Sequence, residues 1–257
     1  MDVRLRRAVL EPLRLTILAA AGFLAGAVNG VAGGGSLISF PALLALGYPP
    51  VAANVTSSLA ALPGYVGGLL GYRDELPAVG SRVRQLTLVS VAGAACGSVV
   101  LLISPAEQFR SVVPVLVLVS VFALALQGVL ARRLDQAKAG GAGRGLLIGQ
   151  FAVSMYGGYF AAGLGVMMLA VLGTFVAGDL HRLNALKGAL SLLVGVVSAV
   201  CFTMFGPVEW GPVAVMSLAG LAGGRSGVVL ARRVPPRYLR WLIVGFGLVL
   251  SIALFVR

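Results

Sequence analysis

No charged residue interrupts the chain from Leu15 to Tyr72, and inside this run stands a glycine cluster, AVNGVAGGGSLISFP, from Ala27 to Pro41. A hydrocarbon core about 30 Å thick takes roughly 20 helical residues. The apolar stretch 15–47 would, as one straight helix, measure about 50 Å at 1.5 Å per residue, longer than a bilayer can hold. Glycine is a poor residue for a helix interior. The chain is therefore expected to be helical, to lie in a membrane, and to break its first helix at the glycines.

The rest of the sequence repeats this character. Of 257 residues, 59% are hydrophobic and 11% charged, against roughly a quarter charged in a soluble domain. Apolar runs fall at 15–47, 51–72, 83–104, 111–131, 145–178, 183–205, 210–231 and 238–256. These predict an all-α, polytopic membrane protein of about eight transmembrane segments, with 1–257 as a single membrane domain. The apolar stretch that follows the first arginines continues past any A-x-A-like cleavage site, so a retained first helix is expected rather than a signal peptide. Cys96 and Cys201 lie in apolar segments without metal-ligand spacing and read as small core residues. The net charge of +12 is what arginine-rich cytoplasmic loops produce, and a share of it can draw an anion to a pore mouth.

The first and fifth segments are both overlong and both carry glycines near their middles. A shift of 130 positions places Gly33 on Gly163, Gly35 on Gly165 and Asn54 on Asn184. The same shift superposes the polar connections that follow and the order of four segments. Two repeats are expected, 15–131 and 145–256, with glycine-broken first and fifth segments. Corresponding interrupted helices are the sequence pointer to a transport site. If every segment crosses, the N-terminus shares the cytoplasmic side with the loops bearing Arg73, Arg82, Arg84 and Arg132, Arg133, Lys138, Arg144. Arg232, Arg233, Arg237 and Arg240 then fall outside, unless the fifth segment dips in and returns to its own side.

A helix broken within the membrane frees backbone groups that only protein or a wet cavity can satisfy. The helix restarting near Ser36 aims N–H groups and a positive dipole end at such a cavity, an anion-binding arrangement. YGGYFAAGLG, from Tyr156 to Gly165, offers the same device with two tyrosines added. Close helix packing is the competing use of such glycines. The cluster lacks the lysine of a P-loop. At the next helix starts stand AANVTSS and RLNALKG, where Asn54 and Ser58 share a face by i, i+4 spacing and Asn184 and Lys187 by i, i+3. Helix capping by Asn54 and snorkelling by Lys187 compete with a binding role, although a cation inside a membrane segment is a functional hypothesis by default. Arg225 reaches toward headgroups and His181 reads as a surface residue.

None of the eight segments contains Asp or Glu, so the carboxylate relay of many proton-coupled transporters is missing. There is no nucleophile elbow and no metal-ligand cluster. Neither an enzyme nor a cofactor or metal site is expected. The expected partners are a small anionic substrate and the lipid bilayer, not nucleic acid, with a homo-oligomer left open.

GFLAGAVNGVAGGGSLISFPALLALGYPPVAANVTSSLAAL in the first half, with YGGYFAAGLGVMMLAVLG and DLHRLNALKGAL in the second, resembles the sulfite exporter TauE/SafE family of bacterial membrane permeases. The likeness runs to GGRSGVVLARRVPPRYLRWLIVGFG. It implies a duplicated inner-membrane permease of about eight helices that moves sulfite or organosulfonate-like anions. Its motif residues fall here on Gly33, Gly34, Gly35, Pro41, Asn54 and Ser57, and on Tyr156, Gly157, Gly158, Gly163, Gly165, Asn184 and Lys187. Many members carry a further hydrophobic or glycine step where this chain has VNGVAGGGS, which marks Asn29 as a local specificity variation. The expected mechanism holds the anion on N–H groups near Ser36 and Gly165, with Asn54 and Asn184 as donors and Lys187 as the charge. An importer or exchanger of another organic anion, or a non-transporting scaffold, are the alternatives.

Overall fold

A computed structural model of the chain describes the backbone at 3–31, 34–134, 143–176, 180–231 and 244–245, and side chains within 11–29, 34–126, 143–176, 181–226 and 244–245. Gly33, Asp179 and nearly all of the expected eighth segment, 238–256, lie outside the described residues. Among those described, every extended element is a helix: α1 (Val3–Val31), α2 (Ser36–Ala45), α3 (Pro50–Leu70), α4 (Leu76–Ile103), α5 (Ala106–Leu134), α6 (Arg144–Tyr159), α7 (Leu164–Phe175), α8 (Leu180–Phe205) and α9 (Trp210–Ala231). Among the described residues four stretches are long and apolar enough to cross a membrane: Glu11–Asn29, Arg73–Ile103, Ala106–Leu126 and His181–Phe205. Large apolar side chains face outward along these helices, with Leu88 79% and Phe122 61% exposed. Water would penalise such a surface, whereas lipid tails would not.

Local chemistry sets the boundaries. The apolar segment 15–47 is divided between α1 and α2, and 145–178 between α6 and α7. Gly163 precedes α7 with φ of 76°, a left-handed conformation that a residue with Cβ enters only at a cost. Pro50 opens α3 at a position where its missing N–H costs nothing.

Helix directions follow from which residues touch. A Cβ added to Gly22 would meet Met216, and one on Gly26 would meet Gly220, so α1 and α9 run parallel. Gly64 lies against Gly26 and Gly67 against Gly224, which makes α3 parallel to both. In the other bundle Gly93 lies against Phe151 and Gly97 against Met155, so α4 and α6 run parallel, opposite to α3. The small residues let these backbones approach to contact, as expected where lipid supplies no hydrophobic drive between helices. Gly145 meets Phe175 and Gly149 meets Val171, hence α7 runs back along α6 to the end from which α6 began. Ser39 of α2 touches Ser57, and Ser36 lies beside Tyr65, so α2 likewise returns alongside α3.

The molecule thus has two ends. At the first, here the Arg73 end, α3 passes into α4 through a short 3-10 turn, Arg73–Glu75, while α6 and α8 begin and α5, α7 and α9 finish. At the second, the Pro49 end, α1 begins, α2 passes into α3, α4 into α5 and α8 into α9. This corrects the expectation that the N-terminus lies on the same side as Arg73, Arg82 and Arg84. Eight consecutive full crossings would put them together, but α1 is parallel to α3 and a return helix stands between them. Two apolar cores result, one of α1, α2, α3, α5 and α9 side chains around Phe40, Phe109 and Phe160 at the end of α6. The other, of α4, α6, α7 and α8, is centred on Leu86, Leu146, Met168 and Leu190. A second correction concerns Cys96, which is exposed on α4 rather than a core residue, while Cys201 is half-buried.

Candidate functional site

Where α3 and α8 cross, polar residues collect in a region the apolar pattern would fill with hydrocarbon. Residues from several elements supply the walls: Asn29 from the end of α1, Tyr65 from α3 and Tyr72 just after it, Gly165 from the start of α7, and Asn184 and Lys187 from α8 border one cavity of about 20 Å³. That volume holds about one water. It lies toward the Arg73 end, because Tyr72 follows the end of α3 and Asn184 stands in the second turn of α8.

Lys187 is the dominant charge. Its side chain is 5% exposed, and its Nζ donates to Asn184 Oδ1 at 2.9 Å. The i, i+3 spacing on α8 creates this pair. Among the described residues no carboxylate lies within ion-pair distance of it, and the ion pair present there is Arg73 with Asp74 at the surface. Removing an ammonium from water costs several kcal/mol even after relaxation, and one amide oxygen answers for only one of three N–H donors. Among the described residues no carboxylate neutralises a charge on Lys187.

The opposite wall is built from the break after α1. Gly35 N–H donates to Asn29 Oδ1 at 2.8 Å. Gly35 is required at this point, since an added Cβ would collide with the Ala25 carbonyl oxygen. Asn29 is 7% exposed, and its Nδ2 finds no acceptor among the described residues. A buried donor left unmatched costs about 1–3 kcal/mol. Gly165, in the first turn of α7, adds a backbone edge: its neighbours Leu164 and Val166 donate to Ala161 and Gly163.

The other expected site residues stand elsewhere. Asn54 reaches across to the end of α6 and donates to the Tyr159 carbonyl at 2.9 Å, while Ser58 donates to the Asn54 carbonyl. Ser57 pairs with Ser39 at 2.8 Å, fastening α2 to α3. The Tyr156 and Ser120 hydroxyls lie 2.6 Å apart, each 2.8 Å from the Ala162 carbonyl oxygen. Gly163 turns against Ser120, 3.1 Å from an added Cβ to the Ser120 Cβ, and Gly34 faces Leu124. Asn54, Tyr156 and Ser120 thereby satisfy carbonyls that the break after α6 leaves open. Ser36 is buried beside the Tyr65 hydroxyl. The cavity therefore unites Gly165, Asn184 and Lys187 of the expected set and adds Asn29 and Tyr65.

Asn54 offers a direct check. Asn54→Ala should strand the Tyr159 carbonyl and cost about 1–3 kcal/mol, read as a lower unfolding midpoint of the purified protein in detergent. An unchanged midpoint would show that the end of α6 is held without it. Ser120 and Tyr65 were not marked by any motif. Each is a polar side chain within an apolar helix, the one available signal.

A family model described as sulfite exporter TauE/SafE matches residues 18–254. The chain is 26% identical over 244 residues to the probable membrane transporter protein YfcA of Escherichia coli (strain K12), covering 95% of this chain and 90% of the relative. It is 27% identical over 231 residues to a probable membrane transporter protein of Haemophilus influenzae, covering 90% of each. It is also similar to the probable membrane transporter protein ORF9 of Sinorhizobium sp, at 26% over 251 residues, 95% of this chain and 91% of the relative.

Proposed function

The chain belongs to the sulfite exporter TauE/SafE family of membrane transporters, and from that premise we propose that it is a permease carrying a small anion, sulfite or an organosulfonate, out through the site between two repeats. The observation that carries this reading is Lys187: a buried ammonium with no carboxylate beside it among the described residues, on the wall of a polar cavity. A resident anion supplies the missing counter-charge. The cavity holds one water-sized group, so a sulfite-sized anion enters as the walls part, in the manner of a site that opens to one side at a time.

The repeats at 15–131 and 145–256 are part of the proposal. Their support is reciprocal packing: α1 pairs with α9 and α6 with α4, α3 with α9 and α8 with α4. Each first or second helix of one half thus meets the third of the other. Pro50 and Leu180 begin α3 and α8, and Ala45 and Phe175 end α2 and α7, all at the 130-residue shift. Because α1 and α6 start from opposite ends, the repeats are inverted in the membrane, the arrangement in which broken helices meet at a central site.

We assign the Arg73 end to the cytoplasm of a bacterial inner membrane. Arg73, Arg82, Arg84, Arg132, Arg133, Arg144 and Arg182 lie at or near helix ends there, and short basic connections stay inside. Arg4, Arg6 and Arg7 then fall on the far side with the start of α1. The Lys187 cavity faces the cytoplasmic supply, which suits export. An inside-negative potential favours expelling a monoanion by about 2.3 kcal/mol per 100 mV, close to a fiftyfold gradient, without a carboxylate relay.

Proteoliposomes loaded with sulfite or methanesulfonate should release it when an imposed potential is negative inside. Flux that appears only with an anion on the opposite side would make the protein an exchanger. If no anion of a sulfite, sulfonate and carboxylate panel moved or bound, the permease reading would be abandoned for a scaffold.

A further inference from the structure

We propose that Asn29 is itself an anion-binding residue of this site, a donor held in fixed orientation by the glycine turn behind it. The inference rests on the permease reading of the same cavity and adds a ligand that neither the glycine motifs nor the Lys187 face supplies.

Three side-chain atoms among the described residues are buried without a hydrogen-bond partner: Asn29 Nδ2, Gln150 Oε1 and Ser198 Oγ. Gln150 spends its amide nitrogen on Ser90 and Ser154 inside the α4 and α6 bundle, away from the cavity. Asn29 alone of the three borders it. An amide has two ends, and here they are told apart. Oδ1 accepts from Gly35 N–H, a donor that leaves no freedom to flip, so the NH2 group is the end left over. Gly64 packs 3.9 Å from it when given a Cβ, and no carbonyl or carboxylate among the described residues answers it.

The geometry makes Gly35 and Asn29 a unit. The N–H at the restart of the chain is spent on positioning a side-chain donor, so the break delivers its polarity to the cavity through Asn29. The pair of N–H groups on Nδ2 can take an anionic oxygen. Lys187, on a different helix, keeps donors beyond the one it gives to Asn184. An anion between them neutralises the ammonium and matches the amide. At the 130-residue shift Asn29 corresponds to Tyr159 and Lys187 to Ser57, so the two halves are unlike in polarity and the charged pocket is built once.

Asn29→Asp separates binding from scaffolding. The substituted carboxylate still accepts from Gly35 N–H, so the turn is kept, but the donor becomes a negative acceptor on a residue that borders the cavity. Purified wild type in detergent, titrated with sulfite and with methanesulfonate at constant ionic strength, should show a rising unfolding midpoint. In Asn29→Asp that rise should need at least about thirtyfold more anion, while the anion-free midpoint stays at or above wild type, with the introduced carboxylate taking over as counter-charge to Lys187. Asn29→Ser, which removes the amide donor without reversing charge, should weaken binding about tenfold and serves if the aspartate variant does not fold. Binding within twofold of wild type in either variant would overturn the inference. So would a lower anion-free midpoint in both, since Asn29 would then only hold the turn. Loss of binding in Lys187→Met beside full binding in Asn29→Asp would remove Asn29 from the site and leave the site standing. Full binding in both would remove the site as well.

Discussion

Lys187→Met should lose anion flux and gain thermal stability in the same variant. The ammonium is 5% exposed and donates one hydrogen bond, to Asn184. Breaking a matched ion pair destabilises a protein, but among the described residues Lys187 has no carboxylate to abandon. Replacing a buried charge by an apolar side chain of similar length is worth roughly 1–4 kcal/mol in favourable cases. Removing the donor to Asn184 Oδ1 takes back about 1–3 kcal/mol, which leaves a small net gain, on the order of 1 kcal/mol. On the functional side, a hydrogen bond to a charged group contributes about 1.5–3 kcal/mol. Anion binding should therefore weaken roughly 10- to 150-fold. Flux in proteoliposomes and the unfolding midpoint in detergent check the two halves. A variant that is less stable and still transports would place Lys187 in the scaffold.

Gly35→Ala and Gly26→Ala should be strongly damaging single-methyl changes, and Gly80→Ala should be harmless. The added carbon would collide with the Ala25 carbonyl oxygen in the first case and with that of Gly220 in the second. Both obstacles are helix backbone, which cannot rotate aside as a flexible side chain does. Overpacking of this kind costs about 1–3 kcal/mol and more where the backbone must move; about 3 kcal/mol or above is expected here, read as loss of monodisperse folded protein. Gly35→Ala should also lose anion binding, because Asn29 depends on its N–H. At Gly80, within α4, no atom lies within 4 Å of the added carbon. There the better helix propensity of alanine should stabilise by about 0.5–1 kcal/mol. Equal effects at Gly80 and Gly26 would mean that helix propensity, not close approach, decides these positions.

The all-helical class and most helix ends were legible because they depend on local chemistry: apolar runs, Pro50 opening α3, and glycines where α1 and α6 stop. Lys187 and Asn184 were legible as a pair because i, i+3 spacing is a property of one helix. Direction was not. That α7 turns back along α6 depends on Phe175 meeting Gly145 and Val171 meeting Gly149, contacts that no periodicity encodes. The side of the N-terminus went with it. The motif comparison marks Asn29 as a variation but not its role, because its partner, Gly35, is six residues away across a break. Its unmatched nitrogen is a fact of packing. Asn54 and Tyr156, expected to bind substrate, donate instead to open carbonyls at Tyr159 and Ala162, a use that residue type alone does not separate from ligand binding.

The parallel seam of α1 and α9 sets an order of events during synthesis. Gly22 and Gly26 close on Met216 and Gly220, so α1 waits for a helix made much later in the chain. At about 5–20 residues per second the delay is about 10–40 s. For that interval the small-residue groove of α1 is open to whatever the membrane offers. Nascent chains arrested before Trp210 should therefore be the ones that a membrane protease or an insertion chaperone engages.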